Sequence, residues 1–306
     1  MSRILITGAG GNVGRALLAG LAGHTVLATD LAPIKGAAFE RLDVTGDDPA
    51  RVIGAFCPEV VVHLASIVTP LKGSTRAWEW RVDVQGTRNV LAACLAAGVR
   101  RLVVTSSGAA YGYHADNPVP LVESDALRGN VAFAYADHKR QVEEMLAEAR
   151  QTHPTLEQVV LRIGTVLGEG VENQITALFR RPRLLAVAGA DSPFVFIWTK
   201  DLARILSRAA TEGPAGVFNV AGDGAMGLRD LALAMGKPVL VLPAWLLRAG
   251  LAVAHPLGLS RYGPEQVGFL QYRPVLDNTA LKTRFGYVPE LTSAQVFDLW
   301  RRWARP

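Results

Sequence analysis

The sequence predicts an α/β fold whose core is a doubly wound parallel sheet. Two observations indicate this class. Up to about residue 164, short and almost wholly apolar runs alternate with longer segments of helical periodicity, which is typical of parallel strands buried on both faces. A glycine-rich segment also separates the first apolar run from the first helical one, as expected where a strand turns sharply into a helix.

The predicted elements follow one another in the order that such a sheet requires. Right-handed crossovers would put helices on both faces, so that ligands bind at the carboxyl ends of the strands. The predicted strands are Ile4–Thr7, Thr25–Thr29, Val60–Leu64, Arg101–Thr105 and Gln158–Ile163, and the clearest helices between them are Val13–Ala22, Thr87–Ala97 and Tyr135–Arg150.

The alternation loosens after residue 164, where Gly, Pro and Arg residues interrupt the apolar runs. Val195–Ile197 followed by Asp201–Ala210 predicts one more strand and helix, and Val217–Val220 predicts a further strand. The proline-rich remainder favours a smaller, mostly helical C-terminal lobe over the ligand site. We therefore expect a sheet domain of residues 1–164 with returns near 191–222, and a second lobe of residues 165–190 and 223–306.

Composition excludes several classes of protein. Half of the 306 residues are apolar and 19% are charged, which is the balance of a globular domain. The net charge is +5, but the densest basic cluster is only Arg180, Arg181 and Arg183, and no base-reading motif accompanies it. We therefore expect a small-molecule substrate and no nucleic-acid partner.

The longest apolar stretch, from Val239 to Leu259, contains two prolines, an arginine and a histidine. A membrane span needs about 20 mostly apolar residues without such breaks, and the N-terminal residues lack the organisation of a signal peptide. We therefore expect a cytoplasmic protein that does not interact with a membrane. Cys57 and Cys94 both lie in apolar stretches, so we expect buried thiols, no disulfide framework and no metal site.

The glycine-rich segment, residues 7–14, reads TGAGGNVG. Its glycines at positions 8, 11 and 14 permit a tight turn, a close approach to a pyrophosphate and close packing of the helix on the sheet. Free N–H groups at the helix N-terminus favour phosphate. The position of this motif between a strand and a helix indicates a Rossmann-type dinucleotide site. We expect the cofactor to contact Gly8, Gly11, Asn12, Val13 and Gly14.

The second predicted strand is followed by Asp30, 16 residues after Gly14. A carboxylate at about this spacing accepts hydrogen bonds from the adenosine ribose hydroxyls and repels a 2′-phosphate. The pattern therefore favours NAD over NADP, although an aspartate that only forms the turn after a strand would look the same.

Further segments resemble the extended short-chain dehydrogenase/reductase family, which includes nucleotide-sugar epimerases and dehydratases. The likeness runs through nearly the whole chain, including residues 83–90 (DVQGTRNV) and 196–203 (FIWTKDLA). It implies that the lobe binds substrate and that NAD is also contacted by Asp43 and Val44 near the adenine, by Leu64, Ala65 and Ser66 after the fourth strand, and by Ile163. His63 has no assigned role, because a strand-end histidine is more often packed than catalytic.

The same resemblance assigns the catalytic residues. Residues 105–112 (TSSGAAYG) resemble the segment that carries the catalytic hydroxyl, which falls on Ser107 rather than Ser106. Tyr135 and Lys139 match the Tyr-x-x-x-Lys motif, whose spacing puts both side chains on one helix face.

The chemistry explains why these residue types are needed together. A free tyrosine has a pKa of about 10, and we expect the ammonium of Lys139 and the oxidised nicotinamide to lower it. Tyr135 would then exchange a proton with the substrate oxygen while hydride moves to or from the cofactor. Ser107 would hold that oxygen, and Lys139 would also hold the nicotinamide ribose.

Three functions remain in view: a dehydrogenase of secondary alcohols or ketones, a nucleotide-sugar epimerase with tightly held NAD, and a non-catalytic dinucleotide sensor. The Ser-Tyr-Lys set argues against the sensor. Gly108 and Ala109 occupy the places of the acidic pair of sugar dehydratases. Residues 192–195 (SPFV) lack the diphosphate-binding arginine usual in epimerases, although Arg273 could supply a later one.

The sequence therefore favours the dehydrogenase. Apolar side chains in the lobe suit a less charged substrate, namely Phe194, Phe196, Trp198, Trp245, Leu246 and Leu247. The resemblance also implies a homodimer that pairs the helices Thr87–Ala97 and Tyr135–Arg150. Val142, Leu146 and Ala149 offer it an apolar face, although the same stripe could be core.

Overall fold

A computed structural model describes residues 1–70, 73–260 and 263–304 of the chain. Its strands, in chain order, are β1 (Arg3–Thr7), β2 (Thr25–Asp30), β3 (Phe39–Arg41), β4 (Val60–His63), β5 (Arg101–Ser107), β6 (Glu157–Ile163), β7 (Thr165–Leu167), β8 (Leu184–Val187), β9 (Phe196–Trp198), β10 (Gly216–Val220) and β11 (Val239–Leu242).

The helices complete the list of elements. A π-helical segment, Arg81–Gln85, joins the third and fourth α-helices, and a 3₁₀ turn, Gly108–Tyr111, follows β5. The α-helices are α1 (Asn12–Ala19), α2 (Asp48–Phe56), α3 (Arg76–Trp80), α4 (Gly86–Ala96), α5 (Ala134–Thr152), α6 (Gln174–Phe179), α7 (Thr199–Thr211), α8 (Leu228–Met235), α9 (Ala244–Ala254), α10 (Gln266–Gln271), α11 (Thr279–Thr283) and α12 (Ser293–Trp303).

Seven parallel strands form the central sheet in the order β3-β2-β1-β4-β5-β6-β10. The order reverses direction at β1, next to β4, which is the switch point where doubly wound sheets bind ligands. Ile4 and Ile6 point into one apolar core and Leu5 points into the other, because successive side chains of a strand face opposite ways. The predicted α/β class with a doubly wound parallel sheet is confirmed.

Two short strand pairs lie outside this sheet, β7 with β9 and β8 with β11. The sequence predicted a strand at Val195–Ile197 as a return to the main sheet, and that placement is wrong because β9 pairs with β7. Four-residue apolar runs such as β8 and β11 cannot be distinguished from helix by periodicity. They add sheet to a lobe predicted to be mostly helical.

Two further expectations need correction. Cys94 is buried but Cys57 is exposed, because it ends α2 in a left-handed conformation that turns it away from the core. β5 extends to Ser107, two residues past the predicted Thr105, because it stays paired with β6. Among the described residues, no helix combines the length and apolarity needed to cross a bilayer.

The apolar stripe of α5 is core rather than a free face. Val142, Leu146 and Ala149 pack against the sheet in the same cluster as Leu102 and Val160. They are therefore not available to a second subunit. The homodimer stays a prediction, and it would have to use the outer faces of these helices.

Candidate active site

The glycine turn lies between β1 and α1. Gly8 has a positive φ of 69°, and a Cβ there would come within 2.6 Å of the Ala65 backbone nitrogen. A Cβ at Gly14 would lie 2.6 Å from Ala9. At Gly11 a Cβ would meet only the Gly8 carbonyl oxygen, at an ordinary 3.5 Å. The fold itself thus requires Gly8 and Gly14, and the space at Gly11 fits the close approach of a pyrophosphate.

Asp30 ends β2 beside this turn. One carboxylate oxygen accepts the Gly10 N–H at 2.9 Å and the other accepts the Leu31 N–H at 2.7 Å. The carboxylate is therefore fixed against the loop that would carry the pyrophosphate. Its position fits a ribose, because adenosine joins the pyrophosphate through that sugar.

The segment assigned to the adenine is held by α4. Gly86 lets α4 pack closely against the loop that follows β3. A Cβ at position 86 would lie 2.6 Å from the Val44 side chain. The Asn89 side chain donates to the Val44 carbonyl at 2.8 Å. Asp43 accepts both the N–H and the hydroxyl of Thr45 through one oxygen. The GTRNV segment therefore supports the adenine side of the groove.

A pocket of about 910 Å³ opens at the carboxyl ends of the central strands. Ser107, Tyr135 and Lys139 all line it. Of the residues assigned to the cofactor, Val13, Leu64, Ser66 and Ile163 also line it, whereas Gly8, Gly11, Asn12, Gly14, Asp30, Asp43, Val44 and Ala65 do not. The three catalytic candidates thus share a cavity with the inner end of the cofactor groove.

Tyr135 has a pKa raised to about 12 by burial. A hydrogen bond with Ser107 acts in the opposite direction, and the negative charge of Asp83 raises the pKa further. The expectation that Lys139 lowers this pKa is wrong for the chain by itself. The Lys139 ammonium lies 5.7 Å from the centre of the Tyr135 ring and donates instead to the Thr105 carbonyl at 3.0 Å.

Lys139 is buried, and burial lowers its pKa, while Asp83 and Glu143 act to raise it. His63 is also buried, between the hydroxyls of Thr7 at 2.7 Å and Thr87 at 3.0 Å. Burial, helped by the charge of Lys139, lowers the pKa of His63 to about 3. His63 is therefore a neutral structural link between β1, β4 and α4.

Asp83 is a residue whose importance the sequence did not indicate. It lies in the π-helical segment and lines the pocket, and it accepts hydrogen bonds from Ser66 and the Ile67 N–H. Burial alone would favour the protonated acid, but the hydrogen bond with His138 and the charge of Lys139 hold the pKa of Asp83 below its usual value. A buried carboxylate thus interacts with the charge of Lys139.

Ser106 has a different role from Ser107. Its hydroxyl donates to Glu143 at 2.5 Å, and Glu143 pairs with Arg162, which donates to the Tyr111 hydroxyl at 2.7 Å. This buried network ties β5, β6 and α5 together below the pocket. Ser107, the next residue, is within hydrogen-bonding reach of Tyr135, and its role as the catalytic hydroxyl stays a prediction.

Across the pocket, Tyr113, Phe133 and Phe269 form an aromatic wall, with ring centres 5.1–5.8 Å apart. The guanidinium of Arg273 lies against it, 3.8 Å from the centre of the Phe194 ring and 4.8 Å from that of Phe269. No aromatic wall was predicted, because its three members come from separate parts of the chain.

Arg273 is a cation without a counterion. It donates to Ser192, its Nε is buried without a hydrogen-bond partner, and no ion pair joins it to an acid within the described ranges. Burial lowers its pKa to about 9, so the group still carries its charge at neutral pH. Such a group fits an anionic part of a ligand.

The apolar side chains expected to face the substrate are only partly there. Phe194 lines the pocket, but Phe196 is core, and Trp198 packs against that core. Trp245 and Leu246 are exposed, with 68% and 43% of their surface accessible. Their helix lies on the outside of the lobe, which short-range periodicity could not show.

Comparison with known proteins agrees with this geometry. The "NAD dependent epimerase/dehydratase family" matches residues 4–221. An uncharacterized protein of Mycobacterium tuberculosis is 28% identical over 96% of this chain and 82% of its own length. A 2-alkyl-3-oxoalkanoate reductase of Stenotrophomonas maltophilia is 32% identical over 59% of this chain and 56% of its own.

Solved structures share the fold over almost the full length. A UDP-glucose 4-epimerase of Thermotoga maritima with UDP-glucose superposes with a TM-score of 0.76 at 20% identity, covering 98% of each chain. The NAD complex of a Thermus thermophilus UDP-glucose 4-epimerase gives 0.75 at 22% identity, again covering 98% of each. The cofactor of this family is NAD.

Proposed function

The chain belongs to the NAD-dependent epimerase/dehydratase family, and from this premise we propose that it is an oxidoreductase of secondary alcohols and ketones. Hydride would pass between NAD and the carbon that bears the reacting oxygen. One observation carries the proposal: Ser107, Tyr135 and Lys139 line the pocket into which the cofactor groove opens. Acid–base, hydrogen-bonding and cationic groups therefore converge on one space.

Each residue has a separate task. Ser107 donates a hydrogen bond to the substrate oxygen and fixes its position. Tyr135 gives that oxygen a proton during ketone reduction and takes one during alcohol oxidation. Lys139, held by the Thr105 carbonyl, binds the ribose next to the nicotinamide. When bound, the nicotinamide supplies or accepts the hydride, and its oxidised ring favours the Tyr135 phenolate that burial disfavours.

The cofactor would follow the groove described above. The glycine turn would hold the pyrophosphate and Asp30 the adenosine ribose, with Asp43 and Val44 beside the adenine. Leu64, Ala65, Ser66 and Ile163 would flank the nicotinamide half.

We further infer that the substrate is an apolar 3-oxo or 3-hydroxy acid. Arg273 supports a single anionic group, since it faces the pocket with its charge unpaired. The aromatic wall of Tyr113, Phe133 and Phe269 supports an apolar chain rather than a sugar. The partly matching relative is named for reduction of 2-alkyl-3-oxoalkanoates, which combine a ketone, a carboxylate and alkyl chains.

The test is a panel of secondary alcohols, neutral ketones, 2-alkyl-3-oxoalkanoates and UDP-glucose, assayed by the absorbance of NADH. Net redox turnover is expected with the oxo acids. Tyr135→Phe should lower it by about 10²–10⁴-fold without loss of NAD affinity, whereas Tyr272→Phe, which removes a hydroxyl outside the pocket, should not. Arg273→Gln should raise KM for the acids and leave KM for neutral ketones unchanged.

A nucleotide-sugar epimerase is the second candidate, and the unpaired charge of Arg273 is the observation that favours it. Such an enzyme would interconvert UDP-sugar isomers and return its cofactor to the starting state. Conversion of UDP-glucose without net NADH change, and no turnover of any alcohol or ketone, would replace the first proposal with this one. Full activity of Tyr135→Phe would remove both.

A further inference from the structure

One surface of the lobe is not explained by the reaction. The outward face of α9 is apolar: Trp245, Leu246 and Val253 are 68%, 43% and 63% exposed. No residue of this 11-residue helix is fully buried. Leu257 and Leu259 just after it are exposed as well. These five residues are called the α9 surface.

The periodicity of α9 shows that this exposure is not a loose helix end. Ala244, Leu247, Leu251 and Ala254 are half-buried at helical spacing and hold α9 against the lobe. A surface helix of a globular domain normally puts charged residues on its opposite face. Here the opposite face carries Arg248 as its one charge. A large exposed apolar patch of this kind marks an interaction site.

The chain segments that form and flank the α9 surface contain basic residues but no acidic ones. The sequence has no Asp or Glu between Asp230 and Glu265, nor between Glu172 and Asp191. Arg183 lies directly before β8, which pairs with β11, whereas the Lys237 ammonium donates to the carbonyls of Phe179 and Arg181. Within the described part of the chain, no carboxylate forms an ion pair with Arg183 or Arg248. Of the basic cluster noted in the sequence, Arg180 is paired with Glu172, and Arg183 is the member that precedes the strand next to β11.

We propose that the α9 surface docks on an anionic phospholipid membrane, with Trp245 and Leu246 in the interface and Arg183 and Arg248 near the headgroups. Tryptophan prefers this depth, and apolar burial together with basic residues is the combination that binds interfacial helices. A second copy of the chain is disfavoured, because a symmetric contact would bring the same cations together. At about 16 Å, α9 is too short to span a bilayer.

This docking differs from the expectation of a membrane-free protein. That expectation rested on the breaks in residues 239–259, which exclude a span but not a helix that lies in the interface. The α9 surface also adjoins the pocket, because α9 contacts α10. Gln266 and Phe269 of α10 line the pocket.

Co-sedimentation of the full-length protein with vesicles tests the proposal. Binding is expected to vesicles of phosphatidylcholine with phosphatidylglycerol and to be much weaker with phosphatidylcholine alone. Trp245→Glu with Leu246→Glu should weaken it by more than roughly tenfold, whereas Val288→Glu, at a separate exposed valine, should not. Arg183→Gln and Arg248→Gln should each weaken it roughly fivefold, with Arg88→Gln as the control.

Two measurements distinguish a loss of membrane binding from a folding defect. NAD affinity reports that each variant is folded. Brominated lipid should quench the tryptophan fluorescence of the vesicle-bound wild type. This quenching should disappear in Trp245→Phe, although that variant still binds. The proposal is overturned if no vesicle binds the protein or if neutral and anionic vesicles bind it equally. It is also overturned if the double glutamate variant has a lower mass than the wild type in light scattering, which would identify a second copy as the partner.

Discussion

In the proposed site, Asp30 is the side chain that would select NAD over NADP. Its carboxylate is held by the Gly10 and Leu31 N–H groups, so it cannot easily turn away from a 2′-phosphate. Asp30→Asn keeps the shape and removes the charge. We expect the wild type to prefer NAD. The variant should bind NADP at least roughly tenfold more tightly than the wild type does, because the repulsion between the Asp30 carboxylate and the 2′-phosphate exceeds about 1.4 kcal/mol.

Dissociation constants for both nucleotides provide the measurement. Asp47→Asn is the matched control, since Asp47 is an exposed carboxylate whose side chain makes no capping bond to α2. Equal affinities of the wild type for NAD and NADP would contradict the role given to Asp30.

At this scale the sequence was informative where a motif defines a spacing. It distinguished Ser107 from Ser106, and it identified Tyr135 and Lys139 as neighbours on α5. It could not predict the environment of each group. The pKa of Tyr135 is raised rather than lowered, because burial and Asp83 outweigh Ser107, and burial depends on residues far away in the chain.

Among the elements, the π-helical segment Arg81–Gln85 bears most directly on the chemistry. Segments of this kind are rare and frequently occur at functional sites. This one holds the Asp83 carboxylate, whose charge raises the pKa of both Tyr135 and Lys139. The sequence predicted a helix only from Thr87, because the residues before it, with Arg81 and Asp83, did not continue its apolar period.

Replacing that carboxylate should move the pH profile. Tyr135 takes a proton from the alcohol only as phenolate, so oxidation speeds up as pH rises toward its pKa. Asp83→Asn removes a charge that raises this pKa, and the profile of kcat/KM for alcohol oxidation should therefore shift to lower pH. Glu79→Gln, at a pocket carboxylate that is not among the groups acting on Tyr135, should leave it in place. A shift to higher pH would contradict the assignment.

For the molecule as a whole, His63 links the active-site end of the sheet to stability in acid. The folded protein keeps His63 neutral down to about pH 3, whereas in the unfolded chain a histidine protonates near 6.5. The unfolded state thus binds the extra proton between these values. Stability from this group is complete above about pH 6.5 and should fall by up to about 1.4 kcal/mol per pH unit below it.

Urea unfolding between pH 7 and pH 4 measures this slope. His63→Gln should be less stable at pH 7 but lose less stability on acidification. His153→Gln, at an exposed histidine, should retain the slope of the wild type. Identical slopes in the wild type and His63→Gln would show that other groups control acid unfolding.

The central sheet could be predicted because its strands are locally apolar and each is followed by a helix. The lobe could not be predicted in the same detail. Its core joins Phe179, Phe196, Leu231 and Trp300, and the first and last of these are separated by more than a third of the chain. Only long-range packing, which leaves no short period in the sequence, brings them together.

The order of the strands also governs when a newly made chain can work. β10, the neighbour of β6, is synthesised after β7, β8 and β9, so the edge of β6 stays open until residue 220 has left the ribosome. The C-terminal lobe is completed still later, because the Ser293 hydroxyl at the start of α12 donates hydrogen bonds to the carbonyls of Gly222 and Gly224. A nascent chain can therefore form its dinucleotide groove well before the part of the pocket that contains Arg273 is in place. Substrate binding therefore waits for residues that are translated after the dinucleotide groove, among them Phe269 and Arg273.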